Sequence, residues 1–206
     1  MKTIGIALAL AAGLLTAGAA ASADMATKTV FGRANIFGAG FQTAPQPGGG
    51  GGGTLPPFWR LPAGENRIVT FPSITGEVNP IVGGAPYNGP GGDGVGPTDV
   101  KSLRGISGIV DRKNGMFLVG VFLGIGTPKR PAPARLDFTD AEQFDVLEPK
   151  LGQTFLIGDG KDRSYRVPTG ATRLFVGFAD AFLYQGLPGW YGNNAGRLQV
   201  TVAVTS

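Results

Sequence analysis

The chain contains no cysteine and no histidine. Without cysteine it cannot form disulfides, carry a lipid anchor on a thiol, or use a thiolate nucleophile. Without histidine it lacks the usual zinc ligand and the usual general base at neutral pH, which excludes Ser-His-Asp and Cys-His catalysis. No other motif with a catalytic mechanism is present, so the sequence predicts a protein that is not an enzyme.

Charge is also sparse and is not concentrated in any one segment. The net charge is only +4, and no run of lysine and arginine is long enough to predict nucleic-acid binding. The carboxylates that a glycosidase would need are closest together at Asp137, Asp140, Glu142, Asp145 and Glu148. Aliphatic and aromatic residues separate them, a pattern typical of the solvated face of a short helix or loop rather than of a paired acid and base.

Residues 1–23 have the pattern of a secretory signal peptide. Lys2 supplies the positive charge, residues 4–15 form a short apolar stretch, and small residues at 21–23 form a cleavage signal. The apolar stretch is too short to favour a membrane span. We expect a bacterial protein that is secreted or periplasmic, with no membrane anchor after cleavage and a mature chain from Asp24 with a net charge of +3.

The 36 glycines and 16 prolines are spread along the chain as punctuation between short strands. Residues 24–206 are long enough for one domain, and the composition predicts an all-β sandwich or barrel. Runs rich in β-branched and aromatic residues predict strands at 29–37, 66–75, 116–123, 153–157, 164–167, 173–179 and 197–204. The run 116–123 is apolar on both faces and is predicted to be a central strand. Residues 140–147 are predicted to form one or two helical turns.

Two stretches read as long Gly/Pro-rich loops. Residues 43–57 contain six consecutive glycines at 48–53, and no Gly-Lys-Ser/Thr follows, so a phosphate-binding loop is excluded. This stretch is predicted to be a flexible surface loop with stiff proline edges. Residues 80–97 are more varied in composition, and a long irregular loop of this kind is often a binding loop.

The richest set of neutral oxygen donors lies in residues 188–196, shortly after Asp180. Calcium prefers carboxylate, side-chain amide and main-chain carbonyl oxygens. If the strands that flank this loop lie close together, Asp180, Asn193 and Asn194 meet at one edge of the sandwich. One carboxylate leaves such an ion with open positions for paired sugar hydroxyls. The same Gly-Asn-Asn-Ala-Gly pattern is also typical of an ordinary hairpin turn.

Residues 187–200 resemble the calcium loop and last strand of the PA-I type (PA-IL-like) bacterial galactose-binding lectins. In those lectins an Asp precedes a Pro-Gly-x-Tyr-Gly-Asn-Asn-Ser-Gly segment. Weaker similarity extends to residues 165–172, to the Gly-Pro-Gly-Gly-Asp loop at 89–93 and to residues 59–70. The resemblance implies a jelly-roll-like (galactose-binding-like) sandwich of two antiparallel sheets with calcium at one end.

Carried over residue by residue, the resemblance implies a set of calcium ligands and a carbohydrate that binds the ion directly. The implied ligands are the Asp180 carboxylate, the Asn193 and Asn194 side chains, and the carbonyls of Trp190 and Val82. The residues predicted to contact carbohydrate are Asp93, Asp99, Tyr184, Trp190 and Tyr191. The three aromatic residues of this set are equally compatible with a packing role.

Two departures from the lectin pattern leave alternatives open. Residues 181–186 are inserted between Asp180 and the loop, so Asp180 is either displaced from the site or the insertion covers the site as an extra wall. The His and Gln that contact galactose in the family correspond here to Gly96 and Asp99. The leading hypothesis is a non-catalytic, calcium-dependent carbohydrate-binding module. The alternative is a structural or adhesive matrix or surface protein that keeps the fold without binding sugar, and the oligomeric state is not predicted.

Overall fold

The computed structural model describes residues 24–84, 87–92 and 96–205, so the predicted signal peptide lies outside the described residues. The described chain is nearly all-β, and its only helices are single 3-10 turns at Ile36–Gly38, Phe182–Tyr184 and Tyr191–Asn193. Its strands are β1 (Asp24–Phe31), β2 (Phe58–Arg60), β3 (Ile68–Asn79), β4 (Thr98–Val100), β5 (Ile109–Asp111), β6 (Leu118–Leu123), β7 (Leu136–Asp137), β8 (Val146–Leu147), β9 (Thr154–Leu156), β10 (Ser164–Arg166), β11 (Arg173–Phe178), β12 (Gln185–Gly186) and β13 (Ala195–Thr205).

The described strands form three hydrogen-bonded sheets. A five-stranded sheet has the order β1-β13-β3-β10-β8, a four-stranded sheet the order β2-β11-β6-β9, and a second four-stranded sheet the order β12-β4-β5-β7. The long strand β13 lies antiparallel between β1 and β3. The pairs β8–β10, β4–β12 and β5–β7 are parallel.

Strand β6 confirms the predicted central strand. All six of its residues are buried, and it pairs with β11 on one side and β9 on the other. The rings of Phe122 on β6 and Phe155 on β9 stack with centroids 5.1 Å apart. A strand covered on both faces needs apolar residues at every position, which is the continuous pattern found in the sequence.

The core lies between the sheets and is rich in aromatic residues. Tyr165 on β10 is fully buried, and its ring contacts Phe71 of its own sheet and Phe155 of the second sheet. Its hydroxyl donates a hydrogen bond to the carbonyl of Leu156 (2.9 Å), which satisfies the polar end of the side chain. Packing of this kind between sheets agrees with the predicted all-β sandwich.

Two expectations about the fold need correction. The described strands form three sheets with some parallel pairs, where two antiparallel sheets were expected. The helical turns predicted for residues 140–147 are absent from the structure, which has an irregular segment followed by β8. Here tertiary contacts override local propensity, since the Phe144 ring packs against Phe138 and Tyr165. No helix in the described ranges is long and apolar enough to span a membrane.

The ends of two strands position the candidate site. Strand β11 ends at Phe178, two residues before Asp180, and β13 begins at Ala195, directly after Asn194. These strands belong to different sheets and do not pair with each other. The two loops nevertheless meet at one end of the molecule, because the Asp180 and Asn194 side chains are hydrogen-bonded to each other (2.9 Å).

Candidate cation and ligand site

Asp180 is a buried carboxylate without a basic partner. The residue as a whole is only 3% exposed. One oxygen, Oδ1, accepts the main-chain N–H of Ala181 (2.7 Å), and the other accepts Nδ2 of Asn194 (2.9 Å). Among the described residues no lysine or arginine forms an ion pair with it. Burial therefore raises the pKa of Asp180 to about 7, against the two hydrogen bonds that lower it.

Two amide oxygens beside this carboxylate lack hydrogen-bond partners. The Asn194 amide nitrogen is fully used, since it also donates to the carbonyl of Gly32 (3.0 Å). The Oδ1 atoms of Asn193 and Asn194 are buried and accept no hydrogen bond. Buried polar atoms are almost always paired, so orphaned acceptors indicate an absent donor or an absent cation. The Asn194 side chain is held beside the carboxylate by its amide nitrogen, so its unpartnered oxygen and that of Asn193 are candidate cation ligands.

Tyr191 fixes the backbone around Asp180. It is completely buried, and its hydroxyl accepts the main-chain N–H of Asp180 (2.9 Å) while donating to the carbonyl of Phe178 (3.0 Å). Burial raises the pKa of Tyr191 well above its usual value, so the hydroxyl keeps its proton. A buried ring has no face free for a ligand. The predicted contact between Tyr191 and carbohydrate does not occur in this conformation, and the side chain holds the loop instead.

The glycine-rich segment 48–51 is bound to the candidate loop. Its main chain pairs with the loop through four hydrogen bonds. These run from Gly48 N–H to the Pro188 carbonyl (2.9 Å), Trp190 N–H to the Gly49 carbonyl (2.8 Å), Gly192 N–H to the Gly50 carbonyl (3.0 Å) and Tyr191 N–H to the Gly51 carbonyl (3.1 Å). The Trp190 indole also donates to the carbonyl of Gly48 (3.0 Å). The composition of this stretch predicts a flexible surface loop. In the structure the glycines of this stretch also act as a main-chain support for the loop.

The absence of side chains is what allows this support. A Cβ on Gly50 would lie 2.5 Å from the ring of Trp190, and one on Gly48 would lie 2.3 Å from the carbonyl oxygen of Leu187. A Cβ atom essentially never lies this close to a non-bonded atom, so the two main chains can pack at this distance only where the residue is glycine. Gly50 also has a φ of +64°, which favours glycine.

The insertion at 181–186 leaves Asp180 in place. The main-chain carbonyl of Asp180 accepts the N–H of Gly189 (3.0 Å), and Ala181 forms a β-bridge with Pro188. The residues just before and just after the insertion are therefore held together, and the insertion forms a closed loop between them. Its 3-10 turn places the Phe182 ring 4.9 Å from the Trp190 ring. Residues 181–184 of the insertion line the same cleft as Asp180.

A cleft with a volume of about 270 Å³ opens above Asp180. Its lining combines the polar candidates with apolar side chains of the insertion and of the β3–β4 connection: Pro80, Ile81, Asp180, Ala181, Phe182, Leu183, Tyr184, Trp190 and Asn193. Asp180 and Asn193 thus line the same cleft. Ile81 is a contributor that the sequence analysis missed, because its segment is remote from the loop in sequence.

The remaining predicted ligand and carbohydrate residues are placed differently. Val82 lies next to the loop, with its N–H donating to the carbonyl of Asn193 (2.7 Å). Tyr184 is buried but lines the cleft. Asp99 is not part of the lining, and its carboxylate pairs with Arg135. Asp93 lies outside the described residues.

Three of the five carboxylates considered for glycosidase chemistry are each engaged with a partner outside the cleft. Asp137 accepts the Thr139 hydroxyl, Asp140 pairs with Lys113, and Glu148 pairs with Arg166. In the described ranges no group of three or more acidic residues is arranged to hold a metal. Any cation at the Asp180 site would therefore be held by one carboxylate and neutral oxygens, which is within the range that calcium accepts.

Comparison of the chain with protein-family models, with curated protein sequences and with solved structures found no match in any of the three. The resemblance to PA-I type lectins therefore stays a prediction.

Proposed function

We propose that this protein is a non-catalytic, calcium-dependent carbohydrate-binding module with a jelly-roll-like sandwich fold, exported to the periplasm or the medium. The observation that carries the proposal is the grouping of one buried carboxylate, Asp180, with the orphaned amide oxygens of Asn193 and Asn194. A buried carboxylate without a basic partner is unfavourable, and a cation bound beside it removes that cost.

Calcium suits this group better than a transition metal. The donors are all oxygens, and neither imidazole nor thiolate occurs in the chain. The Asp180 carboxylate and the two Asn side-chain oxygens would hold the ion, with the main-chain carbonyls of Trp190 and Val82 completing the protein ligands. Bound calcium would supply a positive centre for ligand hydroxyls.

The cleft above the ion is of a size that suits a small sugar unit. A pair of vicinal hydroxyls can occupy open positions on a cation that keeps net positive charge. The half-buried Trp190 ring and the Tyr184 ring line the same cleft and offer apolar surface to the C–H face of a sugar. Galactose itself is not favoured, since Gly96 has no side chain and Asp99 is paired with Arg135.

The structural or adhesive alternative keeps one specific observation in its favour. Tyr191 is fully buried and Asp99 is paired away from the cleft, so two of the residues expected to contact sugar have structural roles. In that case calcium would stabilise the loop without a ligand. A glycan array in calcium buffer separates the two functions, and silence across the array would favour the structural role.

Thermal unfolding with calcium and with chelator tests the cation site. A ligand that binds only the native state at 100 times its Kd adds about 2.7 kcal/mol, which for a domain of this size raises the Tm by roughly 5–10 °C. We expect that shift in the wild type and its loss in Asp180→Asn. The matched control is Asp140→Asn, because Asp140 is an exposed carboxylate remote from the cleft. An unchanged wild-type Tm, or equal shifts in both variants, would contradict the proposal.

A further inference from the structure

The cleft has an apolar rim above its polar floor. Three large apolar side chains line the cleft and remain mostly exposed: Ile81 (60%), Phe182 (56%) and Leu183 (69%). Single exposed apolar residues are common on protein surfaces, but a group around a concave site marks a binding surface. We refer to these three residues as the apolar rim.

The backbone of the rim is held in an unfavourable conformation. Leu183 and Tyr184 have φ values of +50° and +59°, and Trp190 opposite them has +68°. The left-handed region costs a non-glycine residue roughly 1–2 kcal/mol. Three of the seven such residues in the described chain line this one cleft. Strain of this kind persists where the surrounding structure enforces it, and it concentrates at ligand sites.

The enforcing contacts are present. The Tyr184 N–H donates to the carbonyl of Ala181 (2.9 Å), which closes the turn, and the Phe182 ring packs on Trp190. Trp190 is in turn fixed by Gly48 and Gly49. The turn therefore presents Phe182 and Leu183 to solvent from a supported backbone, and the exposure of these side chains is not the result of a loose loop.

The charges of the lining restrict the occupant further. Among the described residues Asp180 is the only charged one that lines the cleft, so a divalent cation bound there keeps net positive charge and attracts oxygen atoms of a ligand. The described lining contains no lysine or arginine, whereas recognition of an anionic membrane surface uses clusters of basic residues. Three rim side chains are also far fewer than the residues that a stable dimer interface buries.

We propose that the site binds amphiphilic glycosides, with the sugar on the cation and an alkyl or aryl aglycone on the apolar rim. This inference rests on the proposed function. It assigns a role to the insertion 181–186: Phe182 and Leu183 are the residues that select for the aglycone. Burying several methylene groups on the rim strengthens binding, and an octyl chain is expected to gain about tenfold or more over a methyl group.

Calorimetric titration with paired glycosides tests the inference. The probes are the methyl and octyl glycosides of glucose, galactose and mannose, used in calcium buffer below the critical micelle concentration of each octyl glycoside. We expect an octyl preference of about tenfold or more for each sugar that binds. The double variant Phe182→Ser, Leu183→Asn removes that preference, and asparagine is chosen because it tolerates the left-handed backbone at 183. The control Ile125→Ser alters an exposed apolar residue (92%) outside this cleft and keeps the preference.

The outcomes separate the two proposals. Equal binding of methyl and octyl glycosides overturns the role of the rim and leaves the carbohydrate function standing. Binding of neither series, with no calcium shift in Tm, overturns both. A third outcome is that the wild type shows no octyl preference but adsorbs, in a calcium-dependent way, to vesicles of phosphatidylcholine and phosphatidylserine. If the double variant loses this adsorption, the inference is overturned in favour of a membrane surface. A retained calcium shift in the double variant shows that it is folded.

Discussion

Two buried carboxylates in this molecule have opposite surroundings. Asp111, at the end of β5, is fully buried and accepts hydrogen bonds from the main-chain N–H groups of Lys113 (2.9 Å) and Asn114 (3.1 Å) and from the Asn114 side chain (3.2 Å). Asp180 accepts two hydrogen bonds and lies beside amide oxygens that have no donor. Burial alone therefore does not define a binding site, and the balance of donors and acceptors around the carboxylate does.

The neighbourhood of Asp111 also forms a cleft of similar volume, about 280 Å³, which includes Glu142, Asp159 and Arg163. There the polar groups satisfy one another, since the Asn114 amide also donates to Glu142 (3.0 Å) and Arg163 donates to the carbonyl of Ile157 (2.9 Å). That cleft is a closed structural network. The Asp180 cleft has acceptors in excess, which is the arrangement a cation completes.

The largest expected effect is the loss of the Asp111 network. Asp111→Ala leaves buried donors without acceptors, which should lower the free energy of unfolding by about 3 kcal/mol or more. Urea denaturation measures this, and the loss should be the same in calcium and in chelator. A loss that calcium restores would mean that the comparison between the two carboxylates is wrong.

The pH dependence of stability should come from the Asp180 side. The folded pKa of Asp180, about 7, lies above its ordinary value of 3.8, so the folded protein keeps a proton that the unfolded chain has already released. The free energy of unfolding in chelator should therefore fall as the pH rises from about 4 to about 7, by roughly 2–3 kcal/mol between pH 5 and pH 8.

Denaturation curves in chelator at pH 5 and pH 8 measure that loss. Calcium should reduce it, because the ion stabilises the charged carboxylate. The absence of histidine leaves few other groups that titrate in this range. Asp180→Asn is the control and should remove the dependence. Stability that rises over this range in chelator would contradict the assignment.

The glycine support of the candidate loop should be sensitive to a single methyl group. Gly50→Ala places a Cβ against the Trp190 ring at a positive φ and should cost about 2 kcal/mol, with a change in tryptophan fluorescence and a smaller calcium shift. Gly49→Ala is the matched control: its φ is +81°, but nothing lies within 4 Å of the added Cβ. Only the backbone cost of about 1 kcal/mol is expected there. If both substitutions had equal effects, the close contact between Gly50 and Trp190 would not be important for the stability of the loop.

The smallest expected effect is that of the Tyr191 hydroxyl. Tyr191→Phe removes the acceptor of the Asp180 N–H and the donor to the Phe178 carbonyl, at a cost of about 1 kcal/mol. Calcium titration of the variant should show weaker binding, because Asp180 is less firmly positioned. Unchanged calcium affinity would limit Tyr191 to a role in stability.

The longer strands were predictable from the sequence because their patterns are local. The β-branched and aromatic runs predict β3, β6, β9, β10, β11 and β13 within a few residues of their observed limits. Strands of two or three residues, such as β7, β8 and β12, carry too little pattern, and their parallel pairing depends on distant segments. Residues 140–147 have helix-compatible spacing, but the packing of Phe144 decides their conformation.

The candidate site was predictable only where strand ends imply proximity. Asp180 and Asn194 meet as the sequence predicts, although β11 and β13 lie in different sheets. The course of residues 181–186 and the burial of Tyr191 depend on packing that no local pattern encodes. The support by residues 48–51 joins segments about 140 residues apart. The composition of residues 48–51 is that of a flexible linker, so it does not predict this contact.

The contact between the glycine segment and the C-terminal loop joins two distant parts of the chain. Residues 48–51 are synthesised early, whereas the loop and β13, which pairs with both β1 and β3, come last. Closing so long a stretch of chain is slow compared with forming local contacts. The candidate site forms only when both distant segments have come together, so calcium binding, if the proposed function is correct, would report that the long-range contact is complete.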